Sequence, residues 1–117
     1  MIKCTHFEML MTSSMFPVIS FGDLPWETTV PGVRSKSVVR DGQRLRLVEF
    51  FSEFVEPDWC TKSHIGYVVE GELEINFNGI VQRVRAGNGL FIPEGGEFKH
   101  RARIVGSRAV LVLVERA

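Results

Sequence analysis

The chain has 117 residues, a length typical of one domain that buries a single core. Its fourteen basic and fourteen acidic residues cancel, and this balance argues against nucleic acid or an anionic membrane as a partner. Two cysteines are too few for a disulfide framework. No apolar run is long enough to cross a membrane, and the first residues are a poor signal peptide. We therefore expect a cytoplasmic protein with reduced thiols.

The chain begins with a segment that has no clear period, followed by a long region with the period of β-strands. We expect residues 1–24 to form an N-terminal arm and residues 25–117 to form one domain. Eight strands are predicted, at 33–40, 44–54, 58–70, 72–77, 80–85, 90–93, 99–105 and 109–115. Asp41-Gly42 and Asn78-Gly79 are typical two-residue hairpin turns. Many short strands with no competing helix predict an all-β sandwich or barrel.

The most informative stretch runs from Asp58 to Gly71 and includes Cys60 and His64. Asp58, Cys60 and His64 have the same parity, so on an extended chain their side chains point to the same face. A carboxylate, a thiol and an imidazole on one face form a candidate site.

The glycines, proline and hairpin of this region resemble the cupin family, over roughly residues 33–115. Gly71 occupies the glycine position of the family's first motif. Gly87, Pro93 and Gly95 match the second motif. The resemblance implies a double-stranded β-helix, the cupin jelly roll, in a single domain. It also implies a homodimer, which is usual among small cupins.

The ligand positions of the two motifs differ from the usual three histidines and one glutamate. Asp58 and Cys60 stand at the first two histidine positions, and His64 stands at the glutamate position. Phe98 stands at the last histidine position, and His100 follows two residues later on the same strand face. The family's metal site is therefore not carried over position by position.

Three interpretations of this site remain open from the sequence. In the first, the barrel binds a small molecule in an interior pocket, with Asp58, Lys62, His64, Phe98 and His100 as ligand-binding residues. In the second, the protein is a metal-dependent enzyme of the dioxygenase, isomerase or epimerase type. In the third, it is a non-catalytic sensor or structural barrel whose interior is filled, with Phe98 packed across it.

A metal, if bound, is expected at Cys60, His64 and His100. A cysteine ligand favours zinc among the divalent metals. Cys60 is also a candidate nucleophile with His64 or His100 as its base, but the sequence offers no third group to orient that base.

Overall fold

The computed structural model describes residues 17–117, so most of the predicted N-terminal arm lies outside the described residues. The described part of the arm contains a short 3-10 turn, Phe21–Asp23. Seven strands follow in the described part of the chain. They are β1 (Glu27–Val30), β2 (Val33–Arg40), β3 (Gln43–Phe51), β4 (His64–Phe77), β5 (Ile80–Arg85), β6 (Gly89–Ile92) and β7 (His100–Arg116). A second 3-10 turn, Gly96–Phe98, precedes β7. Within residues 17–117 no helix is long and apolar enough to cross a membrane.

All strand pairs are antiparallel, in the order β1-β2-β3-β7-β4-β5, with β6 also paired to β4. The first half of β4 lies between β6 and the second half of β7. The second half of β4 lies between β5 and the first half of β7. Two long strands thus run through both layers of an all-β domain, as the prediction of a jelly roll requires.

The predicted hairpin turns are confirmed. Asn78 and Gly79 both have positive φ, 50° and 104°, which a type I′ turn demands. The Asn76 carboxamide oxygen accepts a hydrogen bond from the Gly79 amide at 2.7 Å and holds the turn closed. Asp41 and Gly42 also have positive φ, and they join β2 to β3.

Several predicted strand boundaries are wrong. β1 was not predicted, and the strand predicted to end at residue 54 ends at Phe51. Gly71 was expected to separate two strands, but β4 continues through it with a register shift, at a φ of 82°. Gly106 was likewise expected to be a turn, yet β7 continues through it. A glycine at positive φ allows a bulge that bends a strand without ending it. The strand predicted from residue 58 begins only at His64.

The core lies between the two layers. It is built from alternate residues of β3, β4 and β7, with a contribution from β5, as period-2 alternation predicts. Its buried members are Val48, Val68, Leu73, Ile75, Val84, Ile104, Ala109, Leu111 and Leu113.

Candidate metal centre

The strand register brings Glu115 and His64 side by side on the inner face of one layer. Glu115 on β7 pairs with Arg44 of β3. On the other side of β7, Val114 pairs with Ile65, so His64 lies next to Glu115 across the strands. His64 in turn pairs with Ile92 of β6.

His100 and Cys60 are positioned by a pair of backbone hydrogen bonds. The amide of Cys60 donates to the carbonyl of His100, and the amide of His100 donates to the carbonyl of Cys60, both at 2.9 Å. This isolated bridge ties the loop before β4 to the first residue of β7. Two residues that are forty positions apart in the sequence are therefore fixed opposite each other.

The side chains of Cys60, His64 and His100 converge. The Cys60 Sγ lies 3.4 Å from His64 Nε2, and the two imidazole rings meet edge to face with centroids 5.1 Å apart. One ligand atom from each of the three residues lies within 4.8 Å of the other two. Bond lengths of about 2.3 Å to sulfur and 2.0 Å to nitrogen in a tetrahedral zinc site separate two ligand atoms by about 3.3–3.6 Å. The Cys60–His64 separation fits this geometry.

In both histidines the Nδ1 atom lies close to an acceptor oxygen outside the cluster. His64 Nδ1 lies 2.8 Å from a carboxylate oxygen of Glu115, and His100 Nδ1 lies 3.0 Å from the Phe98 carbonyl oxygen. Each acceptor favours the tautomer that carries its proton on Nδ1, which leaves Nε2 with a free lone pair. A carboxylate or a backbone carbonyl behind a histidine is the usual support of a metal-binding imidazole. The residues present therefore fit a divalent metal.

Glu115 is a functional candidate that the sequence analysis missed. Its side chain is only 6% exposed, and Arg46 Nε lies 2.9 Å from its second oxygen. Burial raises the pKa of Glu115, but the hydrogen bond with His64 and the charge of Arg46 more than offset this effect, so the pKa is lowered overall. The carboxylate therefore stays ionised beside the histidine. A signal was available, because Glu115 has the same parity as Leu111 and Leu113 at the end of an apolar strand.

A cavity of about 280 Å³ opens beside the two histidines. Its wall is largely apolar, with His64, His100, Arg46, Glu56 and Thr29 as the polar or charged residues. The apolar lining consists of Val30, Val33, Phe50, Phe54, Pro57, Leu73, Ile75, Leu90, Ile92, Ala102, Leu111 and Leu113. A mostly apolar cavity with a few polar groups is typical of small-molecule sites.

The other residues proposed for ligand binding lie elsewhere. The side chains of Asp58 and Lys62 are exposed, and Phe98 is 45% exposed. None of the three lines the cavity. The parity argument does not reach Asp58, because the chain before His64 is a loop and not a strand. Phe98 contributes to the cluster through its carbonyl group, which accepts from His100.

Glu115 also supplies the orienting group that the sequence did not reveal for Cys60 as a nucleophile. The chain of contacts runs from Glu115 to His64 Nδ1 and from His64 Nε2 to Cys60. The same arrangement serves a thiol nucleophile and a metal ligand set. His100, the third member of the cluster, has no role in the arrangement for a thiol nucleophile, but a metal site requires it as a ligand.

The sequence matches no protein-family model, and it matches no curated protein. The fold does match solved structures. An RmlC-like cupin from Shewanella frigidimarina superposes with a TM-score of 0.68 at 17% identity, over 86% of this chain and 90% of that one. The polyketide cyclase RemF from Streptomyces resistomycificus gives a TM-score of 0.71 at 20% identity, over 87% and 80% of the two chains. The FeII form of HppE gives 0.69 at 14% identity, over 89% and 62%.

These likenesses establish the fold, since TM-scores of 0.68–0.71 extend over 86–89% of this chain. The chain is an all-β protein with the cupin fold, and two members of the cluster, His64 and His100, line its cavity.

Proposed function

We propose that this protein binds one divalent metal ion, with zinc favoured, through Cys60 Sγ, His64 Nε2 and His100 Nε2. The observation that carries the proposal is that one ligand atom from each of the three residues lies within 4.8 Å of the other two, while Nδ1 of each histidine has an acceptor oxygen at 2.8–3.0 Å. Thiolate and imidazole are the ligands that zinc prefers. A thiolate ligand also requires a reduced cysteine, which is consistent with a cytoplasmic protein.

We further propose that the metal acts on a small organic molecule held in the adjacent cavity, so that the protein is a metal-dependent enzyme. Three protein ligands leave a fourth position open, which is the arrangement of catalytic rather than structural zinc sites. When bound, the metal supplies Lewis acidity to an oxygen of the molecule beside it. The protein holds the imidazoles in one tautomer through Glu115 and Phe98, and its apolar wall keeps bulk water away.

Binding without chemistry remains the second candidate, and the cavity supports it equally. The third interpretation, a filled structural barrel, has less support. Phe98 is 45% exposed and does not line the cavity, which has a volume of about 280 Å³.

The test of metal binding is elemental analysis by mass spectrometry of protein purified without tags or chelators. We expect about one metal ion per chain in the wild type and none in the double variant His64→Gln, His100→Gln. Asp58→Asn is the matched control, because Asp58 precedes the cluster in sequence but is exposed. A wild type that binds no metal, even after incubation with zinc, iron, manganese or nickel salts, would refute the proposal.

The test of catalysis is a comparison of reaction mixtures. The zinc-loaded protein and its Cys60→Ser variant would be incubated with a cell extract depleted of proteins, and the small molecules followed by mass spectrometry. If the protein is an enzyme, the wild type will convert a compound that stays unchanged in the mixture with the variant. A binding protein retains a compound through gel filtration without converting it.

We also propose a homodimer formed through the outer face of the larger layer. Apolar side chains lie side by side there on four strands, because Ile65 pairs with both Val114 and Phe91, and Tyr67 pairs with Val112. We call this surface the outer stripe; it consists of Leu45, Leu47, Ile65, Tyr67, Phe91, Val112 and Val114. Ile65, Tyr67 and Phe91 are well exposed in the single chain. A large exposed apolar patch is typical of an interaction surface.

The dimer is tested by light scattering coupled to size-exclusion chromatography. We expect Tyr67→Glu to convert a dimer to a monomer. Val81→Glu is the control, because Val81 is a similarly exposed apolar residue on β5, outside the outer stripe, and this variant should remain a dimer. A wild type that elutes as a monomer at high micromolar concentration would contradict this proposal.

A further inference from the structure

The cavity contains one cationic side chain, and it lies close to the metal cluster. Arg46 on β3 is the only lysine or arginine among the residues that line the cavity. Its inner-face neighbours across the strands are Leu113, which it pairs with directly, and then Gly66 of β4. Arg46 and His64 are therefore two strands apart, about 10 Å between backbones.

Glu115 holds the Arg46 guanidinium in place. Arg46 Nε lies 2.9 Å from one oxygen of Glu115, and Nη2 donates to the other oxygen at 3.3 Å. The Glu115 carboxylate thus contacts the Nε and Nη2 edge of the Arg46 guanidinium and also Nδ1 of His64. The guanidinium is fixed relative to the metal ligands through a single shared carboxylate.

One edge of the guanidinium remains available. A guanidinium carries five N–H donors, and the contacts with Glu115 use Nε and Nη2. Nη1 has no partner among residues 17–117. Arg46 lines the cavity and its side chain is 28% exposed, so a molecule in the cavity can contact this side chain.

Glu56 is the only carboxylate among the residues that line the cavity. One of its oxygens accepts a hydrogen bond from the Ala102 amide at 2.9 Å. The remaining wall is apolar, from Phe50 and Phe54 at one side to Leu111 and Leu113 at the other.

We infer that the molecule bound in this cavity is a small carboxylic acid with an apolar body, and that Arg46 is the residue that selects its carboxylate. This inference rests on the proposed function, because it names the class of molecule held beside the metal. A carboxylate accepts two parallel hydrogen bonds from a guanidinium, which is the geometry that arginine favours. A single arginine in an apolar cavity suits a monoanion better than a phosphate dianion.

The inference is tested with three fluorinated acids that differ in their apolar body: para-trifluoromethyl benzoate, para-trifluoromethyl phenylacetate and trifluorohexanoate. Each is compared with its primary amide, and binding to the zinc-loaded full-length chain is measured by fluorine NMR. A charged hydrogen bond is worth about a factor of ten or more in affinity. We expect at least one acid to bind at least about ten times more tightly than its amide.

The arginine is tested with two variants and one control. Arg46→Gln is expected to abolish the preference for acid over amide, and Arg46→Lys to restore part of it, because lysine retains the charge without the planar fork. Arg44→Gln is the control. Arg44 lies on the same face of β3 as Arg46, and it is opposite Glu115 in the register between β3 and β7, but it does not line the cavity. The zinc content of each variant is measured in parallel.

The outcomes separate the two proposals. If zinc binds but no acid exceeds its amide, or if Arg46→Gln keeps the preference, the inference is wrong and the metal centre stands. If the wild type binds no metal, the proposed function fails, and the acid preference of the metal-free protein still decides the role of Arg46. Loss of zinc in Arg46→Gln together with loss of acid binding in Arg46→Lys and Arg44→Gln would assign Arg46 a structural role instead.

Discussion

Replacement of Glu115 by glutamine tests whether the carboxylate behind His64 supports a metal site. The substitution keeps the shape of the side chain and removes its charge. In the wild type one oxygen lies 2.8 Å from His64 Nδ1 and the other 2.9 Å from Arg46 Nε. A glutamine has one acceptor oxygen, so it cannot serve both partners. The NH₂ group of the glutamine would face either His64 Nδ1 or Arg46 Nε, and both of these are donors.

The expected effect is a zinc affinity lower by about 10- to 100-fold, which is the usual cost of losing such a supporting group. That range corresponds to about 1.4–2.8 kcal/mol. The assay is competition with a chromophoric zinc chelator at neutral pH, followed by titration to the half-point of colour change. His64→Gln, which removes a proposed ligand, sets the upper limit of the effect.

Glu49→Gln is the matched control. Glu49 is as well buried as Glu115, with 4% of its surface exposed, and it also contacts two basic groups, Arg34 and Arg108. It points to the outer face of β3 and has no contact with the cluster. We expect Glu49→Gln to lower stability and leave zinc affinity unchanged. Equal zinc affinity in Glu115→Gln and the wild type would refute the role assigned to Glu115.

Three further predictions concern the fold and its pH dependence. Gly71→Val should lower the free energy of unfolding by more than about 2 kcal/mol in urea denaturation, because φ is 82° and a Cβ there would lie 2.1 Å from the Arg108 carbonyl oxygen. Gly22→Ala is the control, since a Cβ at Gly22 meets nothing within 4 Å. An unchanged urea midpoint for Gly71→Val would contradict the bulge. Leu73→Ala should cost about 2–5 kcal/mol in the same assay, since Leu73 is a buried member of the core. A cost within about 0.5 kcal/mol of zero, as at a surface position, would mean that Leu73 does not pack in the core. Burial raises the pKa of Glu49, but its hydrogen bonds and charge interactions with Arg108 and Arg34 outweigh burial and lower it below 4.5. The stability this gives is present above about pH 4.5 and is lost as the pH falls through the lowered pKa. Glu49→Gln should therefore flatten the fall of stability as the pH decreases below about 4.5, and parallel curves for the variant and the wild type would refute the assignment.

The fold was largely predictable because its signals are local. The two hairpin turns need residues that tolerate positive φ. Asp41-Gly42 and Asn78-Gly79 are such residues, and they indicate the turns in the sequence. Alternation over β4 marks Leu73 and Ile75 as buried, and both are. The errors at Gly71 and Gly106 have one cause. A glycine at positive φ permits either a turn or a bulge, and only pairing with distant strands decides which one forms.

The three residues of the candidate metal cluster were predictable from the sequence, but the groups that contact their side chains from behind were not. Cys60, His64 and His100 carry donor atoms of recognisable chemistry, and the family resemblance placed them near one another. Glu115 depends on the register between β7 and β4, which no local pattern fixes. Asp58 was included because the segment before His64 was taken to be a strand, and the alternation rule does not apply in a loop.

The long strands β4 and β7 have a mechanical consequence for access to the cavity. Each strand belongs to both layers, so the layers are joined by continuous backbone at two places. They therefore cannot separate from each other by a hinge motion. Any opening must come from elements paired on one side only. Thr29 and Val30 of the edge strand β1, with Glu56 and Pro57 of the loop before β4, border the cavity and meet this condition. A molecule that binds in the cavity would therefore enter past this rim, while His64 on β4 and His100 on β7 remain on the two strands that join the layers.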